Sequence, residues 1–154
     1  MDDITFNWVQ TLRTLCDILI TFVLALPVGW EREREHRGVG VRTLPLVAVA
    51  SCCYIMITQR VLGVKEPNLD RVLQGLITGV GFVGGGAIFR DADTIRGAAT
   101  AASIWLMGAL GAAVAVRAYD VAIIMSLITY GALRLLRPIK SAIDRVAQRD
   151  DQKG

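Results

Sequence analysis

The sequence predicts an all-α fold, a bundle of five membrane-spanning helices with the N-terminus outside and the C-terminus in the cytoplasm. Three observations lead there. Hydrophobic residues make up 53% of 154 residues and mean hydropathy is +0.47, too apolar for an ordinary soluble domain of this length. Charged residues are 20% of the chain and cluster between apolar runs, as loops between spans do. Finally, Gly75 to Arg90, GLITGVGFVGGGAIFR, carries glycine at 75, 79, 81, 84, 85 and 86 before ending in charge. An interior glycine costs roughly 1 kcal/mol in a soluble helix, but in a membrane it lets helix backbones approach closely. Gly75-xxx-Gly79 and Gly81-xxx-Gly85 place glycines on one face, so this run is expected to be the central, most tightly packed helix.

In order along the chain, residues 4–13 mix aromatic and polar groups and are expected at the membrane surface, with Trp8 at headgroup level. The first span is expected over about 14–30. Asp17 lies inside it, and an intramembrane carboxylate is a functional hypothesis that needs a partner. Arg13, four residues back on the same face, offers a local ion pair, while a proton or cation relay is the alternative. Pro27 is expected to kink or loosen the far end. Residues 29–43, GWEREREHRGVGVRT, are the densest charge in the chain and hold the only histidine, His36. If the helix continues, Glu31, Arg34 and Glu35 become neighbours on a solvated face, until Gly38 and Gly40 break it.

The second span is expected over about 43–59, with Pro45 in its first turn. The loop 60–71 leads to a third span over about 72–89 and a short connector, RDADTIR, at 90–96. Asp93 or Thr94 is placed to cap a fourth span over about 95–116, itself rich in alanine and glycine. The fifth span covers about 119–136 and completes a transmembrane domain of residues 1–137. Residues 138–154 form a short tail in which Ile139, Ile143, Val146 and Ala147 recur at helical spacing, expected as an amphipathic surface helix. With Arg134 counted in the tail, twelve Lys and Arg fall on one side of the spans and five on the other. The richer side is cytoplasmic by the positive-inside rule, so the 31–42 charges, the 90–96 connector and the tail share one face.

Several chemistries are excluded. Gly79-Val80-Gly81-Phe82-Val83-Gly84 matches G-x-G-x-x-G, but it lies inside an apolar stretch with no preceding strand, so it is not a dinucleotide site. No Walker-type lysine or H-E-x-x-H is present, and a single histidine leaves no Ser/His/Asp set. The protein is therefore expected not to be an enzyme. Cys16, Cys52 and Cys53 read as buried free thiols. The acidic start Met1-Asp2-Asp3, with no cleavage site after the first apolar run, does not resemble a secretory signal. Net charge is only +3, and the expected partner is the lipid bilayer rather than nucleic acid.

One constellation remains on the cytoplasmic side. Glu31, Glu33 and Glu35 come from one segment and Asp91 and Asp93 from another, with Arg42 and Arg96 at helix starts. Oxygen ligands at this density suit a hard cation, and Glu31, Glu33, Asp91 and Asp93 are the candidate ligands for Mg²⁺. The competing account is that the arginines neutralise those carboxylates and staple the helix ends.

The same segments carry a resemblance. Gly29-Trp30-Glu31-Arg32-Glu33, Gly40-Val41-Arg42-Thr43, Gly79-Val80-Gly81-Phe82-Val83-Gly84-Gly85-Gly86 and the block from Ile95 to Trp105 occur in order. They are similar to the G-L-E-R-E, G-L-R-T, G-I-G-F-L-G-A-G and V-R-G-L-T/N-T-A-A-x-L-W blocks of the MgtC/SapB family of bacterial inner-membrane proteins. The resemblance covers roughly residues 14–137. It singles out Glu31, Arg32, Glu33, Arg42, Thr43, Gly79, Gly81, Gly84, Gly85, Arg96, Gly97, Thr100 and Trp105. It implies a multi-pass inner-membrane protein linked to Mg²⁺ limitation, acid stress or virulence-type survival, acting by regulating other membrane machines such as the ATP synthase. The alternative it carries is a transporter of Mg²⁺ or another cation working as a homo-oligomer. Self-association or a second membrane complex would supply the protein partner. Two departures are expected to matter. Ala99 stands where some members carry Asn or Thr, and the cytoplasmic C-terminal domain of longer members has no counterpart here.

Overall fold

The computed structural model describes residues 7–35, 39–62, 66–91 and 94–138. They form α1 (Trp8–Glu35), α2 (Thr43–Leu62), α3 (Glu66–Gly86), the strands β1 (Phe89–Asp91) and β2 (Thr94–Arg96), α4 (Ala98–Ala115) and α5 (Tyr119–Leu135). The fold is all-α apart from one antiparallel hairpin, in which Arg90 pairs with Ile95. The expected tail helix lies outside the described residues.

The contacts run in one sense along the helices and make each antiparallel to the next. At one end Arg60 of α2 donates to Thr14 of α1. Halfway along, Ser126 Oγ of α5 donates to the Leu24 carbonyl of α1 at 2.6 Å. At the other end Gly29 lies against the Val41 backbone ahead of α2. Trp8–Arg34, Thr43–Leu62 and Ala98–Ala115 are long and apolar enough to cross a membrane. The other two helices miss that standard: α5 has 17 residues, and α3 opens on Glu66, Asp70 and Arg71. Phe82, Leu127, Ile128 and Leu46 are exposed, a large apolar surface of the kind lipid covers.

α1 starts earlier and ends later than the first apolar run suggests. Asn7 Oδ1 accepts the N–H groups of Val9 at 3.0 Å and Gln10 at 3.3 Å, capping the helix ahead of Trp8. The helix then runs through Pro27 to Glu35.

The core helix is α4, not α3. α4 packs against α1, α2, α3 and α5, and it carries no charge from Ala98 to Ala115, so neighbours can cover it without burying a charge. Within α4 the tightest approach is at Gly111, where an added Cβ would overlap the Ala48 carbonyl oxygen of α2. In α3 the residues packed against the core are Leu69, Val72, Leu76 and Val80, one stripe at helical spacing. The glycines lie on its other faces. At Gly75, Gly79, Gly81, Gly85 and Gly86 an added Cβ would meet nothing within 4 Å, and only Gly84 approaches a neighbour, the Ala101 carbonyl oxygen at 3.1 Å. The glycine run, expected as the most tightly packed helix, does pack on α4, through Gly84 against Ala101 and Val80 against Gly108, but the closer helix–helix approaches belong to the small residues of α4.

The connector at 90–96 also differs from expectation. Asp93 lies outside the described residues, and residues 94–96 are strand, so Thr94 does not cap α4. Its N-cap is Gly97, at φ 87° and with no side-chain cap. A Cβ there would overlap the Ala87 carbonyl oxygen. Glycine is required twice over, by the left-handed backbone and by the returning chain.

Candidate functional site

Three of the four sequence blocks meet at one end of the bundle. The continuation of α1 past Trp30 carries Glu31, Arg32 and Glu33 into contact with the start of α2, the start of α4 and the end of α5. Arg32 is 2% exposed, and its Nη2 donates to Thr100 Oγ1 in the first turn of α4. Glu33 is exposed, and its Oε2 accepts the Val41 N–H at 3.2 Å. This anchors the turn that leads into α2, where Gly40 allows Glu33 to lie directly against the backbone. Glu31 is 3% exposed, and its Oε1 lies 3.9 Å from Arg137 Nη1 beyond α5. The expected solvated face is thus split by the helical turn: Glu31 and Arg32 turn inward while Glu33 and Arg34 turn out. Arg34 rests over the Trp30 ring, 5.6 Å from its centroid.

A buried guanidinium or carboxylate is costly unless charge and hydrogen bonds compensate it. Here each charge ties one element to another: α1 to α4 through Arg32, α1 to α2 through Glu33, and α1 to the end of α5 through Glu31. Beside them lies a hollow of about 610 Å³ between β2, the start of α4 and the end of α5. Arg32, Arg96 and Arg137 line its polar side, and Leu133 and Leu136 its apolar side.

Of the candidate Mg²⁺ ligands, Glu31 and Glu33 are placed by these contacts, whereas the Asp91 side chain and Asp93 lie outside the described residues. Among the described residues no group of three or more His, Cys, Asp or Glu side chains could hold a metal ion. Arg42 is exposed and Thr43 half-buried at the start of α2. Arg96 and Gly97 lead into α4. Gly79, Gly81 and Gly85 stand apart on open faces of α3, Gly84 packs on α4, and Trp105 is exposed on α4.

Asp17 sits at the opposite end, 7% exposed. Its Oδ1 accepts the Tyr119 hydroxyl at 2.6 Å, so the bond comes from the start of α5 rather than from Arg13. Tyr119, Thr14, Ser126 and Arg137 had no motif to mark them. Each acts through a contact dozens of residues away in the chain.

Comparison with known proteins adds the following. Residues 18–142 match the MgtC family. Protein MgtC of Brucella abortus (strain 2308) is 30% identical over 142 residues, which is 92% of this chain and 59% of that protein. Protein SrpB of Synechococcus elongatus is 30% identical over 137 residues, 79% of this chain and 75% of that one. The putative magnesium transporter YhiD of Escherichia coli (strain K12) is 27% identical over 136 residues, 84% of this chain and 63% of that one. The chain therefore spans less than two thirds of the Brucella and E. coli proteins. No solved structure matches it.

Proposed function

The chain belongs to the MgtC family, and from that premise we propose that it is a non-enzymatic, multi-pass protein of the bacterial inner membrane. In this reading it regulates another membrane complex by helix–helix contact, in adaptation to Mg²⁺ limitation or stress. All five helices cross the bilayer, with the motif end in the cytoplasm. The antiparallel succession of the helices and the excess of Lys and Arg at the motif end support this arrangement.

The observation that carries the regulatory reading is the pair of open glycine faces on α3, one with Gly75 and Gly79 and one with Gly81 and Gly85. An added Cβ at Gly75, Gly79, Gly81, Gly85 or Gly86 would meet nothing within 4 Å among the described residues, so each costs helix stability without a close packing contact in return. Glycines spaced by four are what a second transmembrane helix needs for close approach. The interior of the bundle argues in the same direction. Thr21, Ser51, Thr58, Ser103 and Thr129 each donate to the carbonyl four residues back. Between them lie Val28, Leu44, Ile55, Met107 and Leu110, all buried. These five side chains are neutral and their protons are closed on their own helices, so none of them offers a charge to offset the dehydration of a cation on its way across.

The competing reading is a Mg²⁺ carrier that builds its pathway between copies of the chain, with Glu31, Glu33, Asp91 and Asp93 as ligands. Glu31 faces Arg137 and Glu33 holds the Val41 N–H, which favours the stapling role for both. The experiment is Mg²⁺ flux into proteoliposomes of the purified full chain, loaded with a Mg²⁺-sensitive dye. The regulatory reading expects no flux above empty vesicles. Flux that is lost in Glu31→Gln would overturn it.

A further inference from the structure

At the end of the bundle away from the motif blocks, three arginines from three elements converge on one hollow. It measures about 360 Å³ and lies between α1, the last turns of α2 and the turn joining α4 to α5, with Arg13, Arg60 and Arg117 around it and Asp17 at its inner edge. The lining thus carries three guanidinium groups against one carboxylate. That carboxylate is already engaged by the Tyr119 hydroxyl at 2.6 Å, and Arg60 is steadied by donating to Thr14 Oγ1.

Arginine near the C-terminal end of a helix is in part explained by the helix dipole, and Arg60 and Arg117 both occupy such places. Two observations go beyond that explanation. Arg117 has φ 63°, and among the described residues it is the one non-glycine residue with positive φ. This is the position after a helix at which glycine is the usual occupant, and a side chain there costs about 1–2 kcal/mol. Strain of this kind persists where the side chain is needed in that place. Second, the hollow does not end at the arginines. Arg13, Asp17 and Arg117 also line an adjoining hollow of about 630 Å³, which continues over Leu12, Cys16 and Ile20 on α1. Leu12 and Ile20 are exposed along that trough.

A polar pocket with excess positive charge, opening sideways onto an apolar trough, has the chemistry of a phospholipid. We propose that these joined hollows bind a membrane lipid whose phosphate sits among Arg13, Arg60 and Arg117 and whose acyl chain lies along Leu12, Cys16 and Ile20. Guanidinium groups suit phosphate because their N–H forks match its oxygens. Free inorganic phosphate shares the headgroup chemistry but leaves the trough unused. The site is separate from the motif end, so it stands or fails independently of the regulatory reading.

The test is native mass spectrometry of the full chain in non-ionic detergent, titrated with phosphatidylglycerol or with inorganic phosphate. Lipid is expected to be retained, whereas phosphate alone is not retained at the same concentration. Arg117→Gly removes the guanidinium and relieves the backbone at once, so the fold is kept and lipid binding weakens about ten-fold, the value of one charge-assisted hydrogen bond. Arg13→Gln gives a second reading from an exposed helical position, with a loss of similar size. Wild-type lipid affinity in both variants would overturn the proposal. So would inorganic phosphate binding as tightly as the lipid, which would assign the pocket to a free anion.

Discussion

Gly111→Ala is the sharpest probe of which helix forms the core. The added methyl would overlap the Ala48 carbonyl oxygen and come within 2.9 Å of the Ala48 carbonyl carbon and 3.0 Å of the Cys52 nitrogen. All three atoms are backbone, so no rotamer change relieves the clash, and α2 and α4 must separate along their contact. Overpacking typically costs 1–3 kcal/mol, and a rigid backbone neighbour puts this site at about 3 kcal/mol, against which a gain in helix propensity of roughly 1 kcal/mol is set. The net expectation is a loss of about 2 kcal/mol. Gly108→Ala is the graded comparison, because its Cβ meets the Val80 side chain at 2.9 Å, which Val80→Ala removes. Gly108→Ala should therefore be rescued by Val80→Ala in a double-mutant cycle, while Gly111→Ala should not. Gly85→Ala, with nothing nearby, should leave the isolated chain as stable as wild type or about 1 kcal/mol more so. The assay is reversible unfolding in mixed detergent micelles. A Gly111→Ala variant within 0.5 kcal/mol of wild type, or a Gly85→Ala variant as damaged as Gly111→Ala, would refute α4 as the core.

The other contacts give smaller effects. Thr100→Val deletes the hydroxyl that accepts from buried Arg32 and should cost about 2 kcal/mol, while Thr100→Ser restores most of it, measured by the same unfolding assay. Gly97→Ala places a side chain at φ 87° against the Ala87 carbonyl. It should cost at least about 2 kcal/mol and shift backbone amide signals of the hairpin at 89–96 in NMR spectra. Tyr119→Phe removes the hydrogen bond to Asp17 at 2.6 Å and should destabilise by about 1.5–3 kcal/mol. Adding Asp17→Asn should then cost little more, because the two changes break one interaction.

Much of this was readable from the residues. Apolar runs bounded by charge located five helices, and four blocks in order identified the family before any contact was known. Three of those blocks meet around the end of α1, and the glycine block reaches the same end through Gly84 against Ala101, as alternating helices require. What could not be read was partnership. Glycine at 75, 79, 81 and 85 signals close approach by a helix, but the sequence does not say which of them the chain itself uses, and it is Leu69, Val72, Leu76 and Val80 that pack on the core. Asp17 invited pairing with Arg13 because four residues is the one spacing that local periodicity reveals, whereas Tyr119 lies 102 residues away. The inward turn of Glu31 and Arg32 follows from α1 continuing past Trp30, which a count of apolar residues ends too soon. The hairpin escaped because strands of three residues have no periodicity to show.

The central claim is that α3 carries a glycine-lined face reserved for a helix from another protein, and a photo-crosslinker at position 82 tests it most directly. Phe82 is 84% exposed among those glycines, and Ile128 on α5, exposed at 66%, serves as the lipid-facing control. In native membranes the account predicts a discrete protein adduct from 82 and none from 128, lost when Gly81 or Gly85 is changed to leucine while the chain itself stays folded. Adducts of equal yield from both positions, or none from 82 in membranes where the protein is functional, would contradict it.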